Sequence, residues 1–255
     1  MGFDVCGRIC AFSTFSALDG LDLRRGRLLI FGGDLVYPAP DKENYDTRLV
    51  GPYRLAAEFY WGEQAQVVAI PGNHDWYDSL VAFRRLFFRD GVIGFRHTRQ
   101  TRSYFVAKLP RHWWLFAVDL QLDHDLDEAQ YKFFSSVCDQ LTAEDRVVLC
   151  LAEPIWIMER KRIDATPLVA KTLIALLRER LGSKVVISIA GDLHHYRRHS
   201  DDSDNHQITC GTGGAFLHPT HGLDSDTLGK FKLKNSFPSK WTSFWLTFLN
   251  LGFVV

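Results

Sequence analysis

Three short strings hold the residue types most able to do chemistry: Gly33-Asp34-Leu35-Val36-Tyr37, Gly72-Asn73-His74-Asp75 and Gly191-Asp192-Leu193-His194-His195-Tyr196. The Asp34 carboxylate offers two oxygens and can bridge two cations, and the Tyr37 phenol could serve a ferric-type ion. Asn73 can lend its amide oxygen to a hard metal ion. His74 could protonate a leaving oxygen, with Asp75 holding the other ring nitrogen and fixing the tautomer. Asp192 and His194 stand at alternate positions, so they share one face of an extended segment. Oxygen donors mixed with imidazole suit Mn, Fe or Zn. Each string also has a plainer reading: an Asp that caps a helix, an Asn-His-Asp turn closed by local hydrogen bonds, and a loop of solvated histidines.

The elements that must position these strings are legible as apolar runs. Leu28–Phe31, Val67–Ile70 and Val185–Ala190 each end at a string, and a short apolar run closed by Gly reads as a buried strand entering a loop. All three strings therefore sit at carboxyl ends of strands, the edge where open α/β sheets bind ligands. The wider pattern predicts strands over 27–32, 66–70, 103–108, 112–119, 147–151, 184–190 and 206–210. Helices are predicted over 48–61 (Pro52 in the first turn), 78–89 (opened by Asp78-Ser79), 127–141 and 167–181 (closed by Gly182). In the third of these, Tyr131, Phe134, Val137, Cys138 and Leu141 recur at helical spacing. Asp201–Asn205 reads as a solvated polar turn. Alternating strands and helices with direct strand links imply an α/β fold with mixed sheets.

The strings resemble the motifs of the calcineurin-like metallophosphoesterase superfamily, which includes the purple acid phosphatases. Gly33–Tyr37 is similar to its Gly-Asp-x-x-Tyr motif, Gly72–Asp75 to Gly-Asn-His-Asp, and Gly191–Tyr196 to Gly-His-x-His with Asp192 in the first His slot. Longer stretches, Phe31–Pro38, Ile70–Asp78, Ala190–Tyr196 and Gly213–His221, resemble a branch of large plant and microbial proteins with added membrane segments. The resemblance covers roughly residues 27–222. It implies a four-layer αββα sandwich with two mixed sheets. It also implies hydrolysis of a phosphate ester at a two-metal site, with Mn, Fe or Zn ions about 3.5–4 Å apart. Carried over residue by residue, Asp34 would bridge, Asn73 and Asp192 would serve one ion, and His194 and Tyr37 the other. His74 would act in catalysis, oriented by Asp75, while Arg197, His218 and His221 are candidates to bind phosphate.

Two departures bear on that site. The string Leu151-Ala152-Glu153-Pro154 has Ala152 where the family places a ligand His, and a methyl cannot bind a metal; Glu153 is the neighbouring oxygen donor. At the amino end Asp4 precedes Asp34 by a tolerable 34 − 4 = 30 residues, yet Cys6 stands where His or Gly is expected. Residues 1–26 thus read as an atypical or truncated segment, with the first strand of the fold missing and the site weakened toward a single metal. An inactive relative that binds a phosphate ligand or a protein is the alternative.

Composition supports a globular chain: 255 residues, 46% hydrophobic, with Lys plus Arg and Asp plus Glu both at 30. That balance carries no nucleic-acid signature. Five cysteines, an odd number lying in core-like segments, read as reduced, which places the domain in the cytosol or on the cytosolic face of a membrane. No signal peptide is evident. Residues 223–255 read as an extension whose last part, from Trp241 on, is uncharged. It is shorter than the roughly 20 residues a spanning helix needs, so it reads as a final core strand, or as a lead into a membrane region. Trp76, Tyr77, Trp113, Trp114 and Trp156 are candidates for core packing or for a stacking surface.

Overall fold

The structure is a computed structural model that describes residues 2–4, 27–57, 66–94, 96–120, 125–157, 171–211, 216–222 and 226–251. The chain divides into two compact units, Met1–Phe105 and Val106–Val255.

Unit 1 is built on a five-stranded mixed sheet. Its strands are β1 (Gly2–Asp4), β2 (Leu28–Gly32), β3 (Gln66–Ile70), β4 (Val92–Ile93) and β5 (Arg96–Thr98), in the order β1-β2-β3-β5-β4. β2, β3 and β5 are parallel. The central pair is apolar because both faces are covered. Leu29, Phe31, Val67 and Ala69 pack with Phe83 and Phe87 from the helix Val81–Phe87, and with Val36, Tyr45, Leu49 and Ile93. Each fully buried Phe of this cluster is worth about 1.5–3 kcal/mol.

β3 outlasts its partner β5, which pairs only with Gln66 and Val67. The exposed ladder is completed by a side chain. Gln100 accepts from the Ala69 N–H at 2.7 Å and donates to its carbonyl at 2.9 Å, as a strand would.

The place beside β2, expected to be empty, holds β1, antiparallel, with Phe3 opposite Ile30. The expectation of a missing first strand is corrected to that extent: backbone pairing needs no motif. The direction of β1 puts Asp4 opposite Leu29, toward the amino end of β2, whereas Asp34 follows its carboxyl end.

Unit 2 holds an eight-stranded mixed sheet. Its strands are β6 (Phe105–Leu109), β7 (Trp113–Ala117), β8 (Arg146–Leu151), β9 (Val185–Ala190), β10 (Tyr196–Ser200), β11 (His206–Cys210), β12 (Thr227–Leu228) and β13 (Phe231–Phe237). The order is β12-β13-β10-β11-β9-β8-β7-β6. β7, β8, β9 and β11 run parallel, and β10, β12 and β13 add antiparallel pairs. The helix Glu128–Cys138 buries Phe134, Val137 and Cys138 as its periodicity predicts, with Asp127 capping the Gln130 N–H. Its buried Gln130 closes both backbone groups of Asp119 just past β7, doing for unit 2 what Gln100 does for unit 1.

Other elements shift from their predicted bounds for local reasons. The helix expected from residue 78 begins at Val81, because Ser79 and Leu80 have φ of 59° and 62°; the Asp78 carboxylate still caps it, accepting from Val81 and Ala82. The 48–61 helix is described as a wide turn over Tyr45–Val50 followed by Gly51–Ala57, and 58–61 lie outside the described residues. The 167–181 helix is described from Lys171 and ends at Gly182, φ 51°, as read.

Asp201 is not solvated. It is buried and accepts from the Ser203 and Asn205 N–H groups, the Asn205 amide and Lys230. Cys138, Cys150 and Cys210 are buried, as expected; Cys6 and Cys10 lie outside the described residues.

The terminal segment is a helix, Lys240–Leu251, and not a core strand. Trp241, Phe244, Trp245 and Phe248 recur at three and four residues and touch ring to ring, a spacing that only a helix brings together. Among the described residues no helix is long and apolar enough to cross a membrane.

Candidate functional site

In unit 1 the loops after β2 and β3 are locked together by one glycine. Gly33 and Asp34, with φ of 105° and 50°, turn the chain out of β2. The Asp34 carboxylate then accepts the His74 N–H at 3.1 Å. A Cβ on Gly72 would lie 2.1 Å from Asp34 Oδ1 and 2.4 Å from its amide nitrogen, so no larger residue fits there. Asp34, Asn73 and His74 are thereby held at the carboxyl edge of adjacent parallel strands, where the sequence places them.

Asp75 behaves differently from expectation. It is wholly buried and accepts from the Tyr45 hydroxyl at 2.5 Å, the Gly72 N–H at 2.8 Å and the Leu35 N–H at 3.3 Å. The His74 Nδ1 bonds instead to the Pro38 carbonyl at 2.9 Å. A carbonyl only accepts, so Nδ1 carries the proton and Nε2 is left to exchange one. Asp75 is thus a buried tie between three segments, and backbone takes over the orienting role assigned to it. Burial pushes its carboxyl up to about 7, against the opposing pull of Tyr45, Gly72 and Leu35. Burial also drives the Tyr45 hydroxyl upward, with Asp75 adding to the effect.

Tyr37 is more than half exposed, and its ring packs on His74, 4.7 Å between centroids. The Asn73 amide nitrogen donates to the Tyr77 hydroxyl at 3.2 Å.

In unit 2, Asp192 takes φ 62° in the loop after β9, and the Gly191 N–H is held by the Ala152 carbonyl at 3.0 Å. His194 and His218 are bonded twice: the His194 N–H donates to His218 Nδ1, and the His218 N–H donates to the His194 carbonyl, each at 3.0 Å. Their rings stack at 4.5 Å and 6°. His194 Nδ1 is buried with no hydrogen-bond partner.

The candidate phosphate binders divide. Arg197 is wholly buried and donates to the Thr220 carbonyl at 2.9 Å. It is therefore an internal strut, and its expected reach to a phosphate is corrected. Burial lowers its guanidinium below the ordinary value. His218 lies against His194, whereas His221 Nδ1 pairs with Ser243 Oγ at 2.9 Å and so belongs to the attachment of the terminal helix. Ala152 and Glu153 are both buried.

Carboxylate, amide, phenol and imidazole are suitable donors for Mn, Fe or Zn, and the orphaned His194 nitrogen is consistent with a ligand. Among the described residues no group of three or more His, Cys, Asp and Glu is gathered to hold an ion, and Ala152 brings a methyl.

A sequence profile described as calcineurin-like phosphoesterase matches residues 13–196, about 70% of the chain. The chain belongs to the calcineurin-like phosphoesterase family. A comparison with curated proteins gives no match. This phosphoesterase-family fold is similar to the solved structure of GAP50, the anchor in the inner membrane complex of Plasmodium. The TM-score is 0.55 and the identity 12%, over 81% of this chain and 68% of that one. It is also similar to the purple acid phosphatase PPD1 from yellow lupin (Lupinus luteus) seeds. There the TM-score is 0.43 and the identity 13%, over 63% of this chain and only 33% of that one.

Sequence reasoning missed Tyr45, Gln100 and Thr220. The signal for Tyr45 was weak: a tyrosine at the first turn of a helix reads as core packing.

Proposed function

We propose that this chain is a metal-dependent phosphoester hydrolase with a ligand-poor metal site. The observation that carries the reading is the interlock of Gly72 with Asp34, which holds a carboxylate beside Asn73 and His74 at one strand edge. Asp34, Tyr37, Asn73, Asp192 and His194 are the proposed ligands, carried over from the family motifs they match. When bound, the metal would supply Lewis acidity toward the phosphate oxygens and a more acidic water.

The chain's own groups do the rest. Asp34 brings negative charge that favours a cation. Asn73 is held by Tyr77. His74, its Nδ1 proton committed to Pro38, gives a proton from Nε2 to the leaving oxygen only when it enters the reaction as the imidazolium, with both ring nitrogens protonated. The substrate is a phosphate ester, and the reduced thiols support the cytosol or the cytosolic face of a membrane as the location.

The test is hydrolysis of para-nitrophenyl phosphate and its bis ester with added Mn, Fe or Zn, beside His74→Ala. Metal-dependent turnover lost in that variant supports the reading. No turnover by a chain that melts cooperatively overturns it in favour of a second reading, a phosphate-ligand or protein-binding module. The buried methyl of Ala152 is the observation favouring that alternative.

A further inference from the structure

The rings of Tyr37 and Tyr77 both pack on the His74 imidazole, with centroids 4.7 and 4.8 Å away. Both are open to solvent, 52% and 63% exposed, whereas Val36 and Leu80 of the same loops are buried. Neither ring is loosely hung. The Tyr77 hydroxyl accepts from the Asn73 amide at 3.2 Å, and its N–H bonds to the His74 carbonyl at 3.3 Å. Tyr37 is pinned through its carbonyl, which accepts from the Arg48 guanidinium at 2.5 Å. Two large ring faces are thus kept in water by polar anchors, beside the group assigned to protonate the leaving oxygen.

A phosphate has no use for an aromatic face, but the alcohol it is esterified to can have one. An oxygen within hydrogen-bond reach of His74 Nε2 lies about 3 Å from it. The carbon it is bonded to, and the group beyond, then fall within van der Waals range of rings that touch the same imidazole. Ring faces in that place favour a planar π-system, through offset or edge-on packing.

Resting on the phosphoesterase reading, we propose that Tyr37 and Tyr77 form an aromatic wall selecting phosphoesters whose alcohol carries a planar aromatic group, a nucleoside or an aryl alcohol. They are specificity-determining residues, and Tyr77 is in addition a positioning residue for Asn73.

The experiment is calorimetric binding of two matched pairs to the full chain with added manganese, under conditions where no phosphate release is detected. The pairs are adenosine 5′-monophosphate against ribose 5-phosphate, and phenylphosphonate against ethylphosphonate. Within a pair the phosphorus group is the same and only the aromatic part differs.

The aromatic member should bind about tenfold more tightly, within the range base–aromatic stacking supplies. Tyr77→Leu should erase the preference, Tyr37→Leu should reduce it while also weakening manganese binding through loss of the phenol, and Tyr77→Phe should keep it while weakening manganese binding through the lost anchor on Asn73. A preference in one pair alone supports the wall and names the source of the ring. Equal binding within both pairs, with affinity for the phosphorus group intact, overturns the wall and leaves the hydrolase reading standing. Failure of all four compounds to bind overturns both. The tyrosines are exposed, so the variants should melt as the parent does, and thermal unfolding checks this. In turnover at saturating manganese, Tyr77→Leu should raise KM for the aryl ester above that of Tyr77→Phe, which loses the same hydroxyl; equal KM in the two would contradict a specificity role.

Discussion

The loops that carry the candidate residues are built differently in the two units. In unit 1 carboxylates hold backbone: Asp34 takes the His74 N–H, and Asp75 takes those of Gly72 and Leu35. In unit 2 an imidazole holds backbone: His218 Nδ1 takes the His194 N–H, the His194 carbonyl takes the His218 N–H, and the two rings stack. The first construction is dry and charge-sensitive, because a buried carboxylate must be either satisfied or neutral. The second depends on packing.

The largest expected effect breaks the first construction. Asp75→Ala strands the Tyr45 hydroxyl and two N–H groups in a dry interior, and each stranded donor costs about 1–3 kcal/mol. Urea unfolding should show a loss of about 4 kcal/mol, and cooperative unfolding at parent stability would refute the tie.

In turnover, His74→Ala should cost about 10²–10⁴-fold, the usual contribution of a positioned acid, whereas His194→Ala should cost less and should weaken metal binding. Equal losses would erase the distinction between acid and ligand. Gly72→Ala should cost about 1–3 kcal/mol through overpacking on Asp34. Gly211→Ala, whose Cβ would lie 2.2 Å from the Leu193 carbonyl oxygen, should cost a similar amount. Both should also lower metal-dependent turnover, because Gly72 abuts Asp34 and Leu193 lies between Asp192 and His194. Ala152→His should tighten metal binding about tenfold or more, read by titration, and no gain would mean the site is not rescued by one ligand.

The smallest effect is in pH dependence, where the two units should have opposite signs. Asp75 titrates at about 7 in the folded chain, above the 3.8 of its free form. The folded state therefore holds the proton more tightly, so the contribution of Asp75 to stability is fully present below about pH 4. It is lost as pH rises through about 7. In unit 2, Asp201 is held well below the ordinary range, first by Lys230 and then by Asn205, and Asp145 is lowered to about 2, chiefly by the Thr142 N–H. Their contribution is present above about pH 4 and lost as pH falls through those lower values. Urea titrations of Asp75→Asn and Asp201→Asn from pH 3 to 8 should show a flatter high-pH limb in the first and a flatter low-pH limb in the second.

The sequence by itself determined the strands that carry the site, the family and the edge at which Asp34, Asn73 and His74 stand. Those properties are local: an apolar run of four to six residues and the glycine after it act on neighbours in the chain. The α/β class with mixed sheets and the buried thiols were legible for the same reason.

Tertiary structure alone decided what the polar groups touch. Asp75 finds Tyr45 thirty residues away, and Arg197 finds Thr220 across a loop. Gln100 and Gln130 act as lengths of strand. An uncharged aromatic tail became a helix when its i, i+3 and i+4 rings could pack on one another. Such pairings are set by which buried donor lacks a partner once the chain has closed. That is a property of the whole fold, and no spacing in the sequence encodes it.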